Sequence, residues 1–265
     1  MTSTDYRGQN FIVTGASSGL GEEFARRLAE RGSDLVLVAR RGDRLAALAD
    51  ELTRQHGVRV TTLVRDLGSP EAGRTLREEL QNRGISVTGL VNNAGFGSRS
   101  VFAREDPARL QSMIALNVSA LVDLTHAFVE PLTRNNGTII NVASILGYQP
   151  TPYLAVYGAT KSFVLSFTES LWEETRTSGL RVLAICPGAV ATEFYDVAGS
   201  RSADFGTKRA TPRRVVDVAL GTLDRSSPPP SVISNGRPLS IVTKFMPRRA
   251  VVRLMGALQR RAGAV

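Results

Sequence analysis

The stretch from Asn10 to Arg41 reads NFIVTGASSGLGEEFARRLAERGSDLVLVARR, and its order of apolar run, glycine turn, amphipathic stretch and second apolar run decides the fold. Asn10–Thr14 and Asp34–Val38 are nearly continuous in apolar residues rather than alternating, the mark of strands buried on both faces. Between them Thr14-Gly15-Ala16-Ser17-Ser18-Gly19-Leu20-Gly21 leads into a helix expected from Glu22. Working outward, the same rhythm continues in Val58–Val64, Gly89–Val91, Thr138–Val142, Leu180–Ile185 and Ser231–Ser234. Ser69-Pro70 and Thr211-Pro212 each read as an N-cap before a first-turn proline. Strand–helix alternation implies right-handed crossovers. The expected fold is an α/β, Rossmann-type doubly wound three-layer sandwich with a mostly seven-stranded parallel sheet.

A chain of 265 residues can bury one sizeable core, so a single domain over residues 1–265 is expected. No solenoid-type repeat or low-complexity linker interrupts it, and Pro228-Pro229-Pro230 reads as a stiff turn. Residues 188–211 break the rhythm, being small and polar with Phe194, Tyr195 and Phe205, and read as a lid over the substrate. The lone Cys186 rules out an intramolecular disulfide, and residues 1–10 are too polar for a secretory signal. With no apolar run judged long enough to cross a bilayer, a cytoplasmic protein is expected. The balance of 33 Lys+Arg against 24 Asp+Glu gives +9, read chiefly as an arginine-rich solvated surface.

The glycine turn has the spacing G-x-x-x-G-x-G. Glycines let a backbone approach phosphates closely, and the free N–H groups at a helix start favour negative charge, so the turn reads as a pyrophosphate seat. A carboxylate at the end of the second strand would grip the ribose 2′-OH of NAD. Here that strand ends Ala39-Arg40-Arg41, two cations able to bond a 2′-phosphate, which favours NADP(H) over NAD(H). The alternative is a solvated arginine pair opening the second helix.

Tyr157-Gly158-Ala159-Thr160-Lys161 lies in a helical stretch, and a spacing of four puts both side chains on one face. A free phenol titrates near about 10, and a neighbouring ammonium is expected to pull that value toward neutrality. Only Lys161, Lys208 and Lys244 are lysines, so a lysine here suggests that a compact ammonium is needed. Ser144 follows the fifth strand, at the end where open α/β sheets bind ligands. By itself such a pair can be surface decoration and such a serine a turn former.

Together these motifs resemble the short-chain dehydrogenase/reductase family, in its Tyr-x-x-x-Lys branch. The resemblance runs from Asn10 to Thr192 and includes the glycine turn, Asp66-Leu67 and Asn92-Asn93-Ala94-Gly95. Asn117, Ser144, Tyr157, Lys161 and Pro187-Gly188 with Thr192 complete it. It implies an oxidoreductase moving a hydride between nicotinamide and a carbonyl or alcohol carbon. In it Tyr157 would exchange the proton, Ser144 would hold the substrate oxygen, Lys161 would bind the nicotinamide ribose, and Asn117 would position a water linking Lys161 to solvent. The cofactor would run over Gly15, Ser17, Ser18, Gly19, Leu20 and Gly21, with Arg40 and Arg41 at its ribose. Asp66 would meet the adenine, Asn93 and Ala94 the adenosine side, and Val190 and Thr192 the carboxamide, with Leu67, Gly95, Pro187 and Gly188 also at the cofactor. The family's helix pairing implies a homodimer or homotetramer.

Phe194, Tyr195 and Phe205 in the lid suggest a lipophilic substrate, such as an acyl chain, a steroid-like ketone or another apolar carbonyl. A non-catalytic NADPH-binding scaffold or sensor is the alternative, disfavoured by the intact Ser144–Tyr157–Lys161 set. Nucleic-acid binding finds no recognition module. No metal site is expected: His56 and His126 stand apart from other ligands and read as core or surface residues. Cys186 reads as a buried small hydrophobe, and Phe163, Phe167 and Leu171 as core or subunit contact. After Asp224 the chain has no acidic residue. In the basic extension 237–265, Val251, Leu254, Met255 and Leu258 share one helical face opposite Arg249, Arg253 and Arg260. That helix reads either as a cover on the fold, the favoured reading, or as a peripheral membrane contact.

Overall fold

In the computed structural model the described residues are 6–198, 209–236 and 245–261. Seven parallel strands form one sheet in the order β3-β2-β1-β4-β5-β6-β7. They are β1 (Asn10–Thr14), β2 (Asp34–Ala39), β3 (Val60–Val64), β4 (Gly89–Asn92), β5 (Thr138–Val142), β6 (Arg181–Cys186) and β7 (Ser231–Ile233). All seven expected strands are present, and their ends differ by a residue or two. The order reverses between β1 and β4, where Phe11, Ile12 and Val13 pair with Gly89, Leu90 and Val91. A ligand crevice opens at such a switch point, beyond the carboxyl ends of the strands.

The helices are α1 (Gly19–Glu30), α2 (Gly42–His56), α3 (Ala72–Asn82), α4 (Pro107–Ile114), α5 (Ala120–Arg134), α6 (Ala155–Glu174), α7 (Phe194–Val197), α8 (Pro212–Leu223) and α9 (Arg248–Arg261). Alternate residues of the central strands feed two core layers. Phe11, Val13, Leu35 and Leu37 pack with Phe24, Leu28, Leu45 and Leu220 from α1, α2 and α8. Ile12, Val36, Leu90 and Ile139 pack with Leu76, Leu80, Leu124 and Phe128 from α3 and α5. Both faces of the sheet are therefore covered, which is why its strands read as unbroken apolar runs.

Local signals set several helix ends. The Thr211 hydroxyl accepts from Arg214 N at 3.3 Å ahead of Pro212, as expected. Ser69-Pro70 does not cap α3: that helix starts at Ala72, after Glu71 with φ 58°. There the Asp66 carboxylate accepts from Gly68 N at 3.0 Å, so a side chain organises a turn ahead of the helix. The first helix begins at Gly19 rather than Glu22, directly off the glycine turn.

The expectation that no run could span a bilayer needs correction. Pro107–Arg134 forms one continuous helical run that contains an 18-residue stretch of mean hydropathy 1.5, enough to cross a membrane by length and composition alone. Its sequence is broken by Arg109, Asp123 and Pro131, yet a π-helical turn at Ala115–Ser119 joins α4 to α5 without interruption. Leu121, Leu124, Phe128 and Leu132 of this run are buried in the fold.

The C-terminal helix covers the fold. Val251, Met255 and Gln259 of α9 are buried, while Arg249, Arg253 and Arg260 face outward. Arg99 Nη2 donates to Gln259 O at 3.1 Å and fastens α9 to the segment after β4. Phe163 is exposed and stacks on Phe167 with centroids 5.9 Å apart, and Leu171 packs against the second core layer. His56 and His126 are exposed, and among the described residues no metal-binding group of His, Cys, Asp or Glu forms.

Beneath the crevice a polar chain crosses the core. Asn92 Nδ2 donates to Thr125 Oγ1 (3.0 Å) and Asn141 Oδ1 (2.9 Å), and Asn141 Nδ2 donates to Thr168 Oγ1 (2.9 Å). It links β4, β5, α5 and α6, the elements that carry the site. Replacing Asn141 by Ala takes one of two acceptors from the Asn92 amide and the donor from Thr168 in a dry interior, and we expect a loss of about 2 kcal/mol or more in urea unfolding. A change under about 0.5 kcal/mol would show that the chain adds nothing to stability.

Candidate active site

At the switch point the Thr14 hydroxyl donates to Val91 O (3.0 Å) and accepts from Asn93 N (2.9 Å) and Ala94 N (3.0 Å). Asn93 Nδ2 donates to Thr14 O at 2.9 Å. These bonds hold the glycine turn against the end of β4. Gly15 adopts φ +65°, and a Cβ there would stand 2.8 Å from Asn93 Nδ2 and 2.9 Å from Ala94 Cα. A side chain is thus excluded by its neighbours as well as by its backbone. Ser18 is the extended N-cap of α1 and offers no side-chain cap bond, so its hydroxyl leaves the first amides of α1 uncapped beside the cavity that Ser18, Gly19 and Leu20 line.

A cavity of 890 Å³ runs along the carboxyl ends of the strands. Gly15, Ser17, Ser18, Gly19 and Leu20 line one side of it, with Arg40 and Arg41 after β2, and Asp66 and Leu67 after β3. Asn93, Ala94 and Gly95 lie at its centre; Ser144, Tyr157 and Lys161 stand beyond them. Pro187, Gly188, Val190 and Thr192, with Phe194 and Tyr195, close the far wall. Of the expected site residues, Gly21 and Asn117 do not line the cavity. Gly21 packs under Gly15 and the Asn93 amide, and Asn117 sits behind Phe96.

Arg41 bonds the glycine turn itself, Nε to Ser17 Oγ (3.1 Å) and Nη2 to Ser17 O (3.2 Å). Arg40 is exposed at the rim. Across the cavity Val190 bridges to Ala210, with Ala191 N to Ala210 O and Ala210 N to Ala189 O both 2.9 Å. The two ends of the 188–211 segment are thus pinned side by side. Phe205, also expected to belong to the lid, lies outside the described residues.

Asn117 occupies the π-helical turn, which widens the helix and turns its amide inward. Its Oδ1 accepts from Phe96 N (3.1 Å), and its Nδ2 donates to Phe96 O (2.9 Å) and Thr160 Oγ1 (3.2 Å). Thr160 Oγ1 in turn donates to Tyr157 O at 2.7 Å. Ser144 Oγ accepts from Leu146 N (3.1 Å). The rings of Tyr157 and Phe194 lie 5.2 Å apart.

The electrostatics differ from the expected arrangement. Burial raises the Tyr157 phenol above its ordinary value, and the Ser144 hydrogen bond draws it part of the way back. Lys161 does not lower it here. Its Nζ donates to Val142 O at 2.7 Å and sits 5.9 Å from the centroid of the Tyr157 ring, so the charge meets the ring and a strand end rather than the hydroxyl. Burial also lowers Lys161 itself to about 8. Cys186 is a buried free thiol pushed up to about 12 by that burial, as a small core residue should be.

Several lining residues were not visible as site residues in the sequence. Phe96, Arg109, Gln149, Leu154, Glu193 and Leu258 reach the cavity from five separate segments. Asn235 is another: Oδ1 accepts from Gly188 N (2.9 Å) and Nδ2 donates to Ala189 O (3.0 Å), fixing the turn after β6. A signal did exist for Glu193, the acid beside Thr192 and Phe194, but its partners are distant in the chain.

Residues 9–202 match the family described as short chain dehydrogenase. Sulfoacetaldehyde reductase 2 of Chromohalobacter salexigens is 39% identical over 78% of this chain and 84% of its own length. Very-long-chain 3-oxoacyl-CoA reductase of Anas platyrhynchos is 32% identical over 82% of this chain and 69% of its own. A short-chain dehydrogenase from Sphingobium yanoikuyae, solved in complex with NADPH, superposes with TM-score 0.80 at 33% identity, covering 94% of this chain and 95% of that one. The chain belongs to the short-chain dehydrogenase/reductase family and is an NAD(P)-dependent oxidoreductase. The residues present fit such a cofactor: the cradle at Gly15 admits no side chain, and the cavity is of the size that small-molecule sites have.

The buried cation carries a stability cost with a definite pH dependence. Because the folded state holds the Lys161 proton less tightly than the unfolded chain, folding is penalised below pH about 8 and relieved as pH rises toward the ordinary lysine value of about 10.4. Lys161→Met should therefore raise the unfolding midpoint near pH 7 by about 2–4 °C per kcal/mol relieved. The gain should shrink as pH approaches about 10. A midpoint that falls at neutral pH would mean that the ammonium supports the fold.

Proposed function

We propose that this protein is an NADP(H)-dependent carbonyl reductase or alcohol dehydrogenase for lipophilic substrates, with Tyr157 as the general acid/base. The observation that carries the reading is the buried cluster of Ser144, Tyr157 and Lys161 at the end of a cavity whose other end carries Arg40 and Arg41. When bound, the nicotinamide exchanges a hydride with the carbonyl or alcohol carbon.

The chain's own residues supply position and protons. Ser144 Oγ, already accepting from Leu146 N, turns its hydroxyl toward the substrate oxygen. There it gains strength as negative charge builds on that oxygen. Burial keeps Tyr157 a phenol at neutral pH, which is the form needed to protonate an alkoxide. Lys161, protonated below about 8, supplies the positive charge behind the ring and a donor for the nicotinamide ribose. Asn117 holds Phe96 and Thr160, and through them the loop after β4 and the helix that carries Tyr157. We infer from this that it acts as a positioning residue, including for a water at Lys161.

Two features support the finer assignments. Ala39 places no carboxylate at the end of β2, and Arg40 and Arg41 stand where a 2′-phosphate would lie. At the reacting end Phe96, Leu146, Leu154, Phe194, Tyr195 and Leu258 make the wall largely apolar, which suits a hydrocarbon-bearing carbonyl. The exposed Phe163 of α6, stacked on the half-buried Phe167, supports self-association in a homodimer or homotetramer.

Turnover of a ketone panel, followed by NADPH oxidation, tests the reading. Tyr157→Phe should bind NADPH as the parent does while turnover falls by about 10²–10⁴. Retained turnover would remove Tyr157 as the acid. Neutralising Arg40 and Arg41 together should weaken NADPH by about tenfold or more and leave NADH nearly unchanged. Equal losses for both cofactors would end the NADP(H) assignment.

A further inference from the structure

Glu193 caps the short helix α7, between Thr192 and Phe194. Its carboxylate accepts from Arg41 Nη1 at 3.0 Å and from Arg44 Nη1 at 2.7 Å, and these contacts hold its carboxyl below the usual range. Arg41 is therefore engaged on both sides: Nε and Nη2 hold Ser17 of the glycine turn, and Nη1 holds Glu193. A carboxylate between two guanidinium groups, at the rim where the ribose is expected, occupies the pose of an anionic ligand.

The same few residues reach the reacting end. Thr192 packs against Gly19, where a Cβ would meet Thr192 Cγ2 at 3.1 Å. Phe194 lies over Tyr157 at 5.2 Å and against Gly97. One carboxylate thus links the arginine corner of the cavity to the aromatic cap on Tyr157. Glu193 touches neither reacting group, and its three-residue ion cluster is partly solvated, with side-chain exposures of 41% to 47%.

We propose that Glu193 is a specificity-determining residue that competes with the 2′-phosphate of the cofactor for Arg41, so that binding a phosphorylated cofactor frees α7 from the arginine rim. The proposal rests on the NADP(H) reading given above. A phosphate brings about two negative charges where Glu193 brings one, so it can displace the carboxylate, and the two anions repel while both are near. A cofactor without that phosphate leaves the Glu193–Arg41 pair in place. By reciprocity, whatever the pair costs the phosphate, the phosphate costs the pair. The pair narrows the preference for the phosphorylated cofactor and makes the cap over Tyr157 responsive to its arrival.

Calorimetric titration of the full chain and of Glu193→Gln with NADPH and with NADH tests the first half. Partly exposed pairs are each worth only a few-fold, so Glu193→Gln should tighten NADPH by about 3–10-fold and change NADH by less than about twofold. Hydrogen exchange tests the second half, because Asp196 N donates to Glu193 O and Ala198 N to Phe194 O within α7. In the parent, 2′,5′-ADP should speed exchange at these amides and 5′-AMP should not; in Glu193→Gln the difference should vanish. If 2′,5′-ADP binds no better than 5′-AMP, the NADP(H) reading itself has failed. If it binds better yet leaves exchange at Asp196 and Ala198 unchanged, or if Glu193→Gln weakens NADPH or shifts both cofactors alike, the competition is overturned while the cofactor reading stands.

Discussion

The hydroxyl of Thr14 is the constraint on which the site rests. It is buried where the sheet order reverses, and it bonds Val91 O and the amides of Asn93 and Ala94 at once. A reversal of strand order leaves the ends of β1 and β4 splayed, with backbone groups that neither strand can pair. One side chain satisfies them and fixes the distance between the glycine turn and the end of β4. Gly15 must then pass within van der Waals reach of Ala94, which leaves no space for a Cβ. The cavity is a consequence of this junction, because everything that lines it follows the carboxyl end of a strand or packs above one.

The sheet was legible because its strands are buried on both faces, so each appears as a short apolar run between turns, and seven such runs gave seven strands. The glycine turn, Ser144, Tyr157 and Lys161 were legible because each sits at a fixed offset from a strand or on a single helical face. What the sequence hid lies between elements. Asn235 fixes Gly188 from far along the chain, and Leu258 enters the cavity from the last helix. No periodicity or spacing connects such residues, only the closure of the chain over the sheet. Ser69-Pro70 misled for a related reason: a carboxylate two residues ahead of Gly68 claimed the turn and delayed α3 to Ala72.

The reading of Lys161 shows what helical spacing can and cannot give. A separation of four puts Tyr157 and Lys161 on one face, and both are buried on one side of the cavity. Spacing says nothing of where a flexible four-carbon stem ends, and here it ends on Val142 O. Desolvation then acts on both groups in opposite senses, holding the phenol neutral and loosening the proton on the amine. The proposed transfer of a proton from Tyr157 to an alkoxide is served by the first effect and strained by the second. The polar chain of Asn92, Asn141 and Thr168 supplies rigidity beside that strained position.

The two ends of the cavity are built by different parts of the chain, and this separates what the fold fixes from what it leaves free. Residues that flank the glycine turn, β2 and β3 come from the first quarter of the sequence and are held by the sheet register itself. The other end is lined from the loop after β4, the segment between β5 and α6, α6 itself, the short helix α7 and α9, none of which is a strand. Apart from α6, segments of that kind can change length or composition without disturbing a core layer. The amphipathic pattern of α9 illustrates the point. Its Val251 and Met255 are buried against the rest of the fold. Leu258 of the same helix stands on the cavity wall. The cavity wall is thus complete only once α9 has docked.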